Sequence, residues 1–208
     1  MIARPNRPRR TLSIVDRRTR GLFLDRWGTL LVTPQRGYAE HPDELVFVDG
    51  ALDALFRAQQ AGFGLYLFGN EDAVAQGKLS DAAWKEVQGA LHRKLAEHGL
   101  DVKRDYSCVD HPQGCGAHQQ DSVYLLPNTG AFHHSVHFDN LALEHSWVIG
   151  DSTVELAAGW RAGTHIAAVK TGVGLADRTF EVDPPVVGRD LTGVLNELVR
   201  AATTLRWS

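Results

Sequence analysis

Short apolar runs alternate with amphipathic stretches along most of the chain. Residues 21–25 and 63–68 are compact apolar runs with the length and composition of buried strands. Residues 80–98 instead repeat their apolar positions at helical spacing, which predicts an amphipathic helix that ends at Gly99. The two kinds of segment follow one another from residue 21 almost to the carboxyl end.

The same reasoning predicts the remaining elements. Further helices are expected at 51–61, 131–143, 153–161 and 191–203, and further strands at 102–107, 146–149 and 164–169. Regular alternation of strands and helices predicts a mostly parallel sheet with helices on both faces, which is a Rossmann-like α/β fold. The polar stretch at 30–47 leaves little room for a cap domain over such a sheet.

Composition places the chain among ordinary globular proteins. Its 208 residues are 43% apolar and 23% charged, enough for one domain with a full core. A net charge of −3 predicts no general attraction to nucleic acid or membranes. We see no apolar run long enough to span a bilayer and no secretory signal near Met1, and we therefore expect a cytoplasmic protein.

Residues 1–20 differ from the rest of the chain in being rich in arginine. We interpret them as a flexible N-terminal arm, followed by a single domain at 21–208. A second interpretation is that the arm docks onto a polyanion or an acidic partner.

Three polar residues come directly after predicted strands. Asp25, Asn70 and Asp151 occupy these positions although they lie far apart in sequence. Ligands of parallel α/β sheets bind outside the carboxyl ends of the strands. The pattern therefore predicts that these three side chains share one crevice.

The segment Phe-Leu-Asp-Arg-Trp-Gly-Thr-Leu at 23–30 resembles the first motif of the haloacid dehalogenase-like (HAD) superfamily. Further segments resemble the branch that holds the histidinol-phosphate and heptose-bisphosphate phosphatases: 38–42, 48–52, 67–71, 108–114, 148–152 and 170–172. The resemblance covers roughly residues 21–200, and it implies the HAD fold.

The resemblance also assigns roles to positions. It implies that Asp25 is the nucleophile that forms an aspartyl-phosphate, whereas Trp27 replaces the aspartate that serves as general acid and base. Gly69 stands where the family has a phosphate-binding threonine, so only its backbone N–H remains, and the neighbouring Asn70 is kept. The family lysine is missing, since Leu126 lies at its place. Much of the catalytic set is therefore replaced.

A magnesium site is also implied. Its ligands would be Asp25, the backbone carbonyl of Trp27 and Asp151, with Glu155 acting through a water molecule. The alternative is structural, because an aspartate at position 151 is well suited to cap the helix that follows.

The loop at 108–122 suggests a second metal. Cys108, His111, Cys115 and His118 lie close enough in sequence to form a tetrahedral zinc site. The alternative is a degenerate loop with free thiols.

Three functions remain open at this point. The first is a depleted phosphatase scaffold, with weak or no activity, that binds a phosphorylated small molecule or a protein partner. The second is an active Mg²⁺-dependent sugar-phosphate phosphomonoesterase with an unconventional acid, for which His133 and His134 are candidates. The third is a dehalogenase-like displacement on Asp25, because HAD dehalogenases carry an aromatic residue at the position of Trp27.

Overall fold

The computed structural model describes residues 19–204, with side chains described as far as residue 201. Its centre is a six-stranded sheet in the order β3-β2-β1-β4-β5-β6, and every neighbouring pair is parallel. The strands are β1 (Arg20–Leu24), β2 (Phe63–Asn70), β3 (Val102–Cys108), β4 (Trp147–Gly150), β5 (His165–Val169) and β6 (Val186–Gly188). The predicted Rossmann-like architecture is confirmed.

Helices cover both faces of this sheet. They are α1 (Ala51–Gln60), α2 (Asp72–Ala75), α3 (Asp81–Glu97), α4 (Gly130–Asp139), α5 (Thr153–Ala162) and α6 (Leu191–Thr204). One core cluster joins the sheet to α1, α3 and α6, and a second, aromatic cluster joins it to α4 and α5. In β1, Leu22 and Leu24 belong to the first cluster and Phe23 to the second, because successive side chains of a strand point to opposite faces. Burial on both faces explains why the central strands are continuous apolar runs.

Three elements depart from the sequence prediction. Helix α4 ends at Asp139, short of the predicted residue 143, because Asn140 adopts a left-handed conformation with φ of 50° that ends the helix. Neither α2, a single turn, nor β6, a three-residue strand, was predicted. Elements this short contain too few residues to show a periodic pattern of apolar positions.

The chain between β1 and α1 forms no cap domain. In this described stretch the only helical piece is a short 3₁₀ turn at Pro42–Glu44. This stretch therefore places no helical cap over the carboxyl edge of the sheet. None of the described helices has the length and apolarity needed to cross a bilayer. Residues 1–18, which make up most of the predicted arm, lie outside the described residues.

Candidate active site

Three carboxylates meet at the carboxyl edge of the sheet. Asp25 directly follows β1 and Asp151 follows β4, and these strands are neighbours in the sheet. Glu155 lies in the first turn of α5, which leads away from the same edge. One oxygen from each of the three side chains lies within 4.8 Å of the others. The structure thus brings together the three side chains predicted to hold magnesium.

The Asp151 carboxylate is held by backbone rather than by another side chain. The N–H of Val173 donates to its Oδ2 at 2.6 Å. Gly28 and Gly172, with φ of 89° and 64°, pack against it so closely that a Cβ on either would lie 2.7 Å from Asp151 Cγ. We call these two residues the glycine cradle. Only glycine provides both this backbone conformation and this space.

Asp151 is not the N-cap residue of α5, so the predicted capping role is not observed. Ser152 is the N-cap residue, and its N–H donates to Glu155 Oε2 at 3.1 Å. Glu155 therefore closes a capping box while its carboxylate remains part of the acidic cluster.

The cluster binds protons unusually tightly. Burial, followed by the charges of Glu155 and Asp151, raises the pKa of Asp25 well above its ordinary value. Burial and the charge of Asp151 raise the pKa of Glu155 to about 8. Burial raises the pKa of Asp151 to about 6, against the opposing hydrogen bond from Val173. The Arg26 charge opposes the shift of the Asp25 pKa, but burial outweighs it.

A divalent cation fits this donor set. Mg²⁺ prefers oxygen ligands, keeps several waters and supplies the positive charge that closely spaced carboxylates require. The crevice around the cluster has a volume of about 360 Å³, and no lysine, arginine or histidine of the described chain lines it. The compensating charge is therefore expected to come from a bound ion.

Trp27 forms part of the crevice wall. Its indole N–H donates to Glu71 Oε2 at 3.3 Å, so its only polar hydrogen is directed at the end of β2. An indole has no second proton to give and no lone pair with which to accept one. The side chain at this position can therefore act neither as a general acid nor as a general base.

Beneath Trp27, the Arg26 guanidinium is buried, with 1% of the side chain exposed. It pairs with Glu71 at 2.9 Å and with Asp105. Burial alone would raise the pKa of Asp105, but Arg26 and the hydrogen bond from His92 hold it below its ordinary value. Burial raises the pKa of Glu71 to about 7 although Arg26 opposes this. Arg26 thus joins the ends of β2 and β3 and does not enter the crevice.

Gly69 and Asn70 end β2 beside Asp25. Gly69 has φ of 147°, and a Cβ there would lie 3.0 Å from Asp25 Oδ1, so glycine allows the two strand ends to approach. The Asn70 side chain accepts from the N–H of Leu126 at 2.8 Å and donates to its carbonyl at 3.4 Å. Asn70 therefore fixes the loop before α4, and its predicted contact with phosphate stays a prediction. Leu126 lines the crevice at the place implied for lysine.

The structure does not support the zinc site. Within the described residues, no group of three or more metal-ligating side chains comes together at the loop. Cys108 donates to the carbonyl of Asp110 at 3.2 Å, and His118 lies between Asp110 and Asp81 at 2.9 and 3.0 Å. The other two predicted ligands are His111, which accepts from the N–H of Gln113 at 2.9 Å, and Cys115, which is exposed. The four side chains do not converge on one point, because closeness in sequence does not fix the direction in which a side chain points.

The histidines proposed as acids also lie elsewhere. His133 lines a separate cavity of about 750 Å³ together with Arg161, and His134 contacts the Tyr124 hydroxyl. Neither lines the crevice at Asp25. The crevice instead contains Asp72, the first residue of α2, which sequence reasoning missed because α2 has no detectable period.

Known proteins resemble this chain over most of its length. A D-glycero-β-D-manno-heptose-1,7-bisphosphate 7-phosphatase from Pasteurella multocida is 30% identical over 154 residues, which are 74% of this chain and 83% of the relative. A protein of the same name from Escherichia coli O6:H1 is 28% identical over 178 residues, covering 85% and 89%. No family model matches the chain.

Solved structures of phosphatases superpose on most of this chain. The D,D-heptose 1,7-bisphosphate phosphatase from B. bronchiseptica, complexed with magnesium and phosphate, superposes with a TM-score of 0.76 at 24% identity, covering 88% of this chain and 99% of the other. A protein from Mesorhizobium loti described as a HAD-like phosphatase gives 0.74 at 28% identity, covering 90% and 88%. The chain belongs to the HAD superfamily and, within it, to the branch of the D,D-heptose 1,7-bisphosphate phosphatases. Its lineage is thus that of phosphoric monoester hydrolases.

Proposed function

We propose that this protein is a Mg²⁺-dependent phosphatase that uses Asp25 as its nucleophile. The observation that carries the proposal is the buried cluster of Asp25, Asp151 and Glu155, whose oxygens lie within 4.8 Å of one another without a cation among the crevice residues. Burying such a cluster is costly unless a ligand compensates its charge. The relatives named above are phosphatases, which favours an enzyme over a binding protein.

Each crevice residue is assigned a role from its position around Asp25. A carboxylate oxygen of Asp25 attacks the phosphorus atom of the substrate. Asp25, Asp151 and the Trp27 carbonyl would hold the metal directly, and Glu155 would hold it through a water molecule. The N–H groups at Gly69 and Asn70, which end β2 beside Asp25, bind phosphoryl oxygens. Mg²⁺ would stabilise the negative charge of the phosphoryl group when bound.

The substrate that we propose is a small phosphorylated molecule. The relatives act on a sugar bisphosphate by their names, and the cap-less edge of the sheet leaves the crevice open. A sugar phosphate is the starting candidate, although the side chain at position 27 restricts which phosphoryl donors react well.

A binding function is the second candidate. It is favoured by Trp27 and Leu126, which stand at the implied acid and lysine positions and line the crevice without supplying a proton or a charge. Each loss of this kind typically lowers a rate by about a hundredfold or more. A dehalogenase would also lack the family lysine, and the names of the relatives give this hypothesis no support.

One experiment separates these candidates. Phosphate release would be measured with Mg²⁺ from sugar phosphates, sugar bisphosphates and an aryl phosphate, with and without EDTA. The matched control is Asp25→Asn, which keeps the shape of the side chain. Phosphate release that is lost both in EDTA and in Asp25→Asn supports the proposal. A folded protein that releases no phosphate from any substrate refutes it and favours the binding function, and halide release from haloacids would identify a dehalogenase.

A further inference from the structure

The crevice residue at the position of the family acid cannot protonate a leaving group. Trp27 takes the position of the family acid, and its N–H is bonded to Glu71 at 3.3 Å. Three of the carboxylates that line the crevice belong to the acidic cluster. In the described chain, the remaining crevice residue with a carboxyl group is Asp72, which is exposed at the start of α2. An alkoxide leaving without a proton is a poor leaving group, so this arrangement limits the chemistry.

We propose that this protein takes phosphoryl groups from molecules with an acidic leaving oxygen, namely aryl or acyl phosphates. The inference rests on the proposed function. A carboxylate oxygen of Asp25 forms the new O–P bond while the bond from phosphorus to the leaving oxygen breaks. The electron pair stays on that oxygen, which departs as a phenolate or a carboxylate, and no proton is required at this step.

Hydrolysis of the aspartyl-phosphate, the second step, also lacks a general base at position 27. Water attacks the phosphorus of the aspartyl-phosphate, the Asp25–phosphorus bond breaks, and the products are inorganic phosphate, the Asp25 carboxylate and a proton released to solvent. The indole of Trp27 cannot accept that proton, because it has no free lone pair. With an acidic leaving group, formation of the phosphoenzyme needs no proton, so we expect its hydrolysis to be the slower step. The first turnover should release the leaving group in a burst.

A neighbouring cavity suits such a leaving group. This cavity, of about 320 Å³, shares Trp27, Gly37, Asn70 and Asp72 with the crevice, so the two spaces adjoin. Its wall adds Tyr38, Arg36 and Lys78. Aromatic walls accept a planar group, and a cation stabilises the negative charge that develops on a departing oxygen. The cavity therefore matches an acidic, planar leaving group better than a neutral alcohol.

The test is a substrate series that differs only in the leaving group. The rate at which the leaving group is released in a single turnover would be measured with Mg²⁺. The substrates would be 4-nitrophenyl phosphate, phenyl phosphate and glycerol phosphate, with acetyl phosphate as the acyl phosphate. We expect the rate to fall steeply as the leaving oxygen becomes more basic. We also expect Trp27→Asp to raise the rate with glycerol phosphate by at least about a hundredfold more than the rate with 4-nitrophenyl phosphate, since a general acid contributes that much.

Trp27→Phe is the matched control, because it restores no acid and should keep the steep dependence. A shallow dependence in the wild-type protein overturns the inference while the proposed function stands, and Asp72→Asn then shows whether Asp72 is the donor. No release from the four substrates, although sugar phosphates react, also overturns the inference alone. No release from any of these compounds overturns the proposed function, and the inference with it. The wild-type series is decisive even if Trp27→Asp fails to fold.

Discussion

Replacing Asp151 by asparagine should stabilise the metal-free protein at neutral and alkaline pH. Burial raises the pKa of Asp151 from 3.8 to about 6, so the folded protein holds this proton more tightly than the unfolded chain. Stability from this group is full below its ordinary pKa and is lost as the pH rises through about 6. A shift of about two pH units corresponds to about 3 kcal/mol. Asparagine resembles the protonated carboxyl and can still accept from Val173, so it avoids this loss.

The free energy of unfolding of both proteins would be measured by urea denaturation in EDTA between about pH 4 and about pH 8. We expect the advantage of Asp151→Asn to grow from near zero to about 3 kcal/mol across this range. Mg²⁺ should raise the melting temperature of the wild-type protein and not that of the variant. Asp183→Asn, on the exposed chain before β6, controls for the loss of a charge. The reasoning is refuted if the advantage does not change with pH, or if Mg²⁺ still protects the variant.

Two further predictions concern the surroundings of the site. Gly172→Ala places a Cβ 2.7 Å from Asp151 Cγ, so it should displace that carboxylate and weaken Mg²⁺ binding by at least about tenfold, measured by calorimetry; unchanged affinity would contradict the role of the glycine cradle. Arg26→Met leaves Glu71 and Asp105 buried without their cation, so the free energy of unfolding should fall by about 3–5 kcal/mol in urea denaturation, and a loss below about 1 kcal/mol would show that the ion pairs are dispensable.

The fold and the outline of the site could be predicted because both depend on local patterns. The runs at 21–25 and 63–68 are apolar throughout because β1 and β2 are buried on both faces. Asp25, Asn70 and Asp151 meet because parallel strands bring their carboxyl ends to one edge.

The rest of the site depends on contacts between distant residues. Arg26 reaches Glu71 and Asp105, which lie 45 and 79 positions further along the chain, and no local period marks such a pairing. The zinc prediction finds no support in the structure for a related reason. Cys108 ends a strand with its side chain buried, whereas Cys115 is exposed, so closeness in sequence did not become closeness of ligand atoms.

The indole at position 27 also makes the crevice optically visible. Tryptophan emission responds to nearby charges and to water, and Trp27 lines the crevice while its N–H is bonded to Glu71. The chain has five tryptophans, among them Trp84, buried in the core, and Trp160, which is 71% exposed, so the crevice signal is the difference between the wild-type protein and a variant without Trp27. Titrations of Mg²⁺ or of a phosphorylated ligand can therefore be followed by intrinsic fluorescence, with Trp27→Phe as the blank. Ligands that bind without reacting would become measurable by the same signal.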